Sequence, residues 1–542
     1  RVGFWCLVTL LAGLFVGQPV AANEIVRKRM ESMEAGYAVA AGGETLISKL
    51  ALPRFYQQRD NSLAWPDPGV WSTMLVEIEQ AANDGLQPDD YHRQALQRLI
   101  ADAAGHPDAL TIEQRTDLDL LLTDAFLMLG SHLLEGKVNP ETIDTEWLAN
   151  RRQGDMVLIL NEALANGSVS MTLAGLRPNQ PGYRRLMARR GQFVPLLEQP
   201  WPVLAGTPSI RPQQTDSRLP EIRRRLSLLQ DFAPAGDSAG PDDVYDDGLQ
   251  VAVERFQRRH GLDTDGIIGK ATLAMLNRTP RQRLDQIDAN LERWRWLPDQ
   301  LGDTYIMVNI AGFELELVSG GEVKETHRVV VGRNYRRSPA FSDRIRYLVF
   351  NPVWTVPVKL MVEDKLPEIR RDPGYLSRLG FRVYRGWGEQ RQQVDPASID
   401  WNKLSATHFP YQLVQEAGPK NALGQIKFMF PNKFDVYLHD TPAKELFREA
   451  ERSFSSGCIR VENPARLAES LLADTPGWDA SRIQAVLASG EGQTVYLKKP
   501  VPVHLQYWTV WADDSGVVQF RRDIYDRDAR VLAALRSRPS DQ

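Results

Sequence analysis

Cysteine is nearly absent from this chain of 542 residues: only Cys6 and Cys458 occur. Histidine is scarce too, at 8, and no sign of charge dominates, the net charge being −4. That balance gives no basic footprint for nucleic acid, so no nucleic-acid partner is expected. Two cysteines exclude a disulfide framework. The histidines form no ligand-spaced cluster with cysteine or acids, so no metal and no cofactor is expected. Long apolar runs are missing beyond the N-terminus: Leu118 to Leu134 is broken by Asp119 and Asp124, whereas a spanning helix needs about 20 apolar residues. Charged residues at 25% and apolar residues at 43% are ordinary for a soluble chain of several domains.

What is present begins with Arg1, an apolar run from Val2 to Val16, and small residues at Val20 and Ala22. This pattern reads as a secretory signal over 1–22. The alternative is a retained membrane anchor, and only then is a membrane a partner. Both readings place the remainder outside the cytoplasm, where disulfides normally form. Cys6 lies inside the signal core, so cleavage leaves Cys458 as a single thiol. Such a thiol is an intermolecular partner, a buried inert residue, or a reactive nucleophile.

Residues 23–200 read as a helical scaffold, with Leu118, Leu121, Leu122, Ala125, Phe126 and Leu129 on one apolar face and Gly136 placed to end that helix. His92, His106 and His132 are spread out there and read as structural. A Pro-rich linker covers 201–217. A small helical module follows over 218–278, with a stripe at Leu249, Ala252, Val253 and Phe256 and a turn at Asp265, Gly266, Gly269 and Thr272. That turn resembles the D-G-x-x-G-x-x-T signature of the three-helix peptidoglycan-binding module; a generic helical hairpin is the plain alternative. A connecting helix is expected over 279–303. From 304 to 512 the period shifts to two, as at Phe313, Leu315 and Leu317, which predicts a mostly-β domain with helices inserted. An insertion at about 359–424, rich in aromatics and arginines, reads as a lid or as decoration. A C-terminal segment, 513–542, completes a multidomain α+β chain.

The chemistry concentrates late. Phe434 to His439 reads as a strand that sends Phe434, Val436 and Leu438 to one face and Tyr437 and His439 to the other. Cys458 follows 19 positions after His439, in Ser455-Ser456-Gly457-Cys458-Ile459-Arg460. Asn463-Pro464 then opens a helix, with Asn463 as its cap. Small neighbours expose the sulfur and free backbone N–H groups for an oxyanion. A thiol needs a base to attack, and His439 is the histidine with a suitable strand setting.

His439 and the Ser455–Arg460 block resemble the catalytic motif of the L,D-transpeptidase (YkuD-type) family. Asn351-Pro352-x-Trp354-x-Val356-Pro357 and Gly424 to Asn432 look like that family too, as does Pro500 to Trp508. The order of scaffold, peptidoglycan-binding module and catalytic domain is similar to the large YcbB-like subgroup. Where many members have histidine before Gly-Cys, this chain has Ser456, which the subgroup shares.

The resemblance implies a periplasmic enzyme acting on peptidoglycan tetrapeptide stems as donor and acceptor. Cys458 is then the nucleophile, His439 the base, the Asp440 carbonyl its orienting group, and the Gly457 and Cys458 N–H groups the oxyanion donors. Tyr437, Arg460, Ser456, Trp354 and Asn432 become candidate substrate contacts. For Arg460 the bland alternative is a solvated surface charge. Other cell-wall enzymes, such as a D,D-carboxypeptidase, are expected partners. Rival functions are an L,D-carboxypeptidase or cysteine peptidase, a non-catalytic wall-binding scaffold, and attachment of a lipoprotein to the wall.

Overall fold

The computed structural model describes residues 12–103, 106–233 and 241–539. The signal expected over 1–22 lies partly outside them, and Cys6 wholly so. Helix α1, Ala12–Glu34, runs through the expected cleavage point. Among the described residues no helix is long and apolar enough to cross a membrane.

The scaffold is built around α2, Ile112–Glu135. Thr111 and Gln114 cap its start reciprocally, and Gly136, at φ 88°, ends it. The expected single apolar face is a correction: Leu118 to Leu129 is buried all round. Its two acids are buried because neighbouring loops feed them donors. Asp119 accepts from the Ala64 and Trp65 amides and the Tyr56 hydroxyl, and Asp124 from the Ile47 and Ser48 amides. His92 bridges Glu44 and Asp124 at 2.8 and 2.9 Å, and His132 bonds Tyr91 at 2.9 Å.

After α3, Pro181–Arg190, come α4, Leu219–Leu228, α5, Asp247–Arg259, and α6, Lys270–Leu276. Gly266, at φ 67°, turns the chain between α5 and α6. The Gln257 side chain locks the turn, donating to Asp265 Oδ1 and accepting from the Gly266 amide, each at 2.9 Å. Helix α7, Pro280–Arg295, then passes between the parts of the molecule with nearly every side chain buried. Glu292 pairs with Arg295 there and also accepts from Val138 N at 2.7 Å. That contact ties scaffold to connector.

The β domain is a closed sheet. Its first four strands are β1, Thr304–Asn309, β2, Glu314–Ser319, β3, Glu322–Gly332, and β4, Phe341–Phe350. The lid strands are β5, Trp354–Thr355, β6, Phe381–Arg385, β7, Gln392–Val394, and β8, Tyr411–Gln415. There follow β9, Ile426–Met429, β10, Leu438–His439, β11, Ser453–Ser455, β12, Ile459–Val461, and β13, Gln493–Gln506. The order is β11-β3-β12-β10-β9-β4-β13-β1-β2, and β2 also pairs with β3, which closes the ring and removes an open edge.

The expected insertion is a folded unit. Its four strands run β5-β8-β6-β7 and enclose a separate core that includes Val356, Met361, Leu366, Val383 and Leu413. It starts by Trp354, earlier than the sequence reading placed it. Helix α8, Pro464–Leu472, follows β12, but Asn463 has φ 50° and makes no side-chain cap. A hairpin of β14, Val510–Ala512, with β15, Val518–Phe520, and helix α9, Asp528–Arg536, end the fold. Arg293 of α7 pairs with Asp528 of α9 at 2.6 Å.

Candidate active site

The expected strand over 434–439 shrinks to Leu438–His439, because Asp435 adopts a left-handed φ of 53° and bends the approach. Asn432 pins that bend. Its amide donates to Phe430 O at 2.6 Å and Val436 O at 2.7 Å, and its oxygen accepts from Phe434 N at 3.0 Å. In the free protein the Asn432 amide is thus engaged in tying its own loop. Trp354 is likewise placed inside the lid, against Phe381 at 6.2 Å.

The register of three strands makes the site. Lys427 of β9 lies opposite His439 of β10, and His439 lies beside Arg460 of the parallel strand β12. Phe428, Leu438 and Ile459 interleave and fill the core at 0% exposure. Strand alternation then puts Lys427, His439 and Arg460 in one row on the opposite face. Ile459 N donates to Tyr437 O at 3.1 Å, which sets Cys458 alongside Tyr437. Cys458 is half-buried, with its thiol 3.9 Å from Asp435 O. The Tyr437 and His439 rings meet edge-on at 5.6 Å. His439 Nδ1 donates to the Asp440 carbonyl at 2.5 Å, which makes Nε2 the nitrogen that can act as a base.

Electrostatics keep this pair neutral at rest. Burial, then the charges of Arg460 and Lys427, push His439 down to about 3, against the Asp440 carbonyl. Burial raises the Cys458 thiol above its usual range, while the Tyr437 amide and phenol and the two cations oppose that shift. Burial and the neighbouring sulfur raise the Tyr437 phenol, so it remains a donor. The Arg460 guanidinium and the Lys427 ammonium make no hydrogen bond or ion pair within the described residues; Lys427 Nζ lies 3.7 Å from the Tyr437 ring centroid. Burial lowers both cations from their ordinary values. Two unpaired cations beside the Cys458 thiol suit a carboxylate or another anion.

The turn that carries Cys458 is tied by its own hydrogen bonds. Gly457 N donates to Ser455 Oγ at 3.1 Å, and Ser455 Oγ donates to Cys458 O at 2.5 Å. The Gly457 amide is therefore engaged within the turn, whereas Cys458 N has no hydrogen-bond partner among the described residues. The Gly457 carbonyl accepts from Ser338 Oγ at 2.7 Å. Ser338 N in turn donates to Tyr525 Oη at 3.2 Å, and that hydroxyl donates to Gly332 O at 2.6 Å. Ser456 is exposed and accepts from Arg336 at 3.0 Å.

Lys427, Arg336, Ser338 and Tyr525 went unnoticed in the sequence. Lys427 carried a signal, since it is the charged member of an otherwise apolar strand. The others lie too far along the chain from Cys458 for spacing to reveal.

Three family models match: a scaffold domain over 50–189, a peptidoglycan binding domain over 215–276, and an L,D-transpeptidase catalytic domain over 303–494. A Haemophilus influenzae protein named "Putative L,D-transpeptidase" is 38% identical over 245 residues, spanning 45% of this chain and 48% of its own length. The chain thus matches about half the length of that relative. An L,D-transpeptidase structure from Stackebrandtia nassauensis is 12% identical, covering 56% of this chain and 97% of its own, at a TM-score of 0.21. One from Xylanimonas cellulosilytica is 15% identical, covering 56% and 99%, at 0.17. Those superpositions are too loose to bear on the fold. The sequence matches are enough to say that this chain carries a YkuD-type L,D-transpeptidase catalytic domain, joined to a scaffold domain and a peptidoglycan-binding domain.

Proposed function

We propose that the protein forms 3→3 cross-links between peptidoglycan stems through a thioester on Cys458. The reading is supported chiefly by the Ile459 N to Tyr437 O bond, which brings Cys458 alongside Tyr437, and by His439 Nδ1 being held by Asp440 O.

In the first half, His439 Nε2 takes the thiol proton and Cys458 Sγ attacks the carbonyl of the third stem residue, diaminopimelate. Cys458 N and the Tyr437 phenol hold the oxyanion, and one such donor is worth about 3 kcal/mol. The C–N bond to the terminal D-alanine breaks, and His439 returns the proton to that leaving amine. In the second half, the side-chain amine of another stem attacks the thioester. The new C–N bond forms as the C–S bond breaks, and the amine proton passes through His439 to sulfur. Arg460 takes a stem carboxylate. The protein works in the periplasm, where a D,D-carboxypeptidase supplies the tetrapeptides.

Incubation with disaccharide-tetrapeptides tests the reading by intact mass and product analysis. An acyl adduct on the wild type, absent from Cys458→Ala, with dimers as product, is expected. Activity retained by Cys458→Ala would defeat the thioester. Trimmed stems without dimers would make the protein a carboxypeptidase. A carbapenem is expected to leave a covalent adduct on Cys458.

A further inference from the structure

The lid is fastened on both flanks of the Cys458–His439 pair. On the His439 flank its return segment does this. Asn421 Nδ2 donates to Pro352 O at 2.9 Å, and Gln425 N donates to Asp440 Oδ2 at 2.9 Å. Gly424, at φ 60°, packs so closely that a Cβ there would lie 2.3 Å from Asp440 Oδ2.

On the Cys458 flank a single side chain does it. Arg336, from the loop between β3 and β4, grips both Asp364 oxygens at 2.6 Å and Glu363 Oε2 at 2.6 Å. The same guanidinium donates to Ser456 Oγ at 3.0 Å, two residues before Cys458. Its side chain is only 9% exposed, although Glu363 and Asp364 are 47% and 34% exposed. Two-pronged carboxylate recognition of this kind is directional and stronger than a lone surface pair. Glu363 and Asp364 sit in a π-helical turn, Met361–Lys365, a geometry that is rare and clusters at functional sites.

A thioester can be resolved by two nucleophiles. When a stem amine attacks, an amide forms, the C–S bond breaks and the amine proton reaches the sulfur. When water attacks, the same bond breaks, a free carboxylic acid forms and a water proton reaches the sulfur. Water is always in excess, so transfer requires that the acyl group be shielded until an acceptor fills the cleft.

We propose that Arg336 is a positioning residue that decides between these outcomes, clamping the lid to the nucleophile turn so that the thioester meets an amine before it meets bulk water. The proposal rests on the thioester reading and concerns only its second half.

The test compares wild type, Arg336→Ala, Arg336→Lys and the Glu363→Gln/Asp364→Asn double variant on disaccharide-tetrapeptides. Intact mass follows the adduct, and chromatography gives the ratio of dimer to trimmed stem. Arg336→Ala and the double variant should form adduct at near wild-type rates, while the ratio falls by roughly tenfold as water gains access. Arg336→Lys, keeping the charge but losing the fork, should lie between. The double variant changes only lid surface groups, so it gives the answer even if Arg336→Ala misfolds. An unchanged ratio in variants that acylate normally overturns the proposal, as does slowed acylation with an unchanged ratio. No adduct on the wild type would instead defeat the thioester reading.

Discussion

At the scale of single residues, the site holds an imidazole and a thiol that burial drives in opposite directions. His439 is pushed down to about 3 and the Cys458 thiol is raised. Both shifts favour the uncharged forms, thiol and neutral imidazole, in the free protein. Alkylation of Cys458 by iodoacetamide in the free protein should accelerate only at pH above the ordinary thiol range. A rate plateau extending to pH 5 would mean an ion pair and would overturn this description. Gly424→Ala should act through the same bond network: its Cβ, 2.3 Å from Asp440 Oδ2, displaces the segment whose carbonyl holds His439. A shift of about 1 Å in such a group costs on the order of 100-fold. Stopped-flow acylation of the variant should show a loss of that size, with the thiol still titratable.

Among the elements, the lid is the part most able to behave independently, because its core is separate from the barrel core. Leu413 is 0% exposed within it. Leu413→Ala should remove about 2–5 kcal/mol, the usual range for a buried leucine. Hydrogen exchange should place that loss in β5 to β8 while β9, β10 and β12 keep their protection. Exchange accelerated equally in both would show that lid and barrel unfold as one unit. The C-terminal element bears on the site from the opposite side. Tyr525 Oη bonds Gly332 O and Ser338 N, and Ser338 holds Gly457. Tyr525→Phe should cost about 1–3 kcal/mol by leaving buried groups unpaired, read by urea denaturation, and should slow acylation.

The whole molecule is organised on α7, whose buried ion pair Glu292–Arg295 also reaches Val138 of the scaffold. Glu292→Ala leaves Arg295 charged and buried, so a loss of about 3–5 kcal/mol is expected on thermal unfolding. Stability should also fall at both ends of the pH scale. Burial lowers His132 and His439 to about 3. Their contribution is present above the unfolded value near 6.5 and is lost as pH falls from there toward 3. Asp124 and Glu44 overcome burial to raise His92 to about 9. That contribution is present below about 6.5 and disappears as pH rises through about 9. Urea midpoints across pH should trace this window, and His92→Gln should flatten its alkaline side.

By itself the sequence determined the division into helical and β parts, because hydrophobic period is a local property, while the turn from Asp265 to Thr272 carried the resemblance to a peptidoglycan-binding module. Cys458 and His439 drew attention in the sequence through the scarcity of cysteine and the motif around it, and His439 Nδ1 does donate to the Asp440 carbonyl. Tertiary structure alone decided the rest. The bend at Asp435 shortened the expected strand, and the Asn432 and Gly457 groups went to partners within their own loops. The lid emerged as a folded unit because its apolar residues, dispersed along the chain, converge only in space. Arg336 and Ser338 reach the Cys458 turn because β3 pairs with β11 and β12, and Tyr525 joins them from the C-terminal segment, long-range contacts that no local pattern encodes.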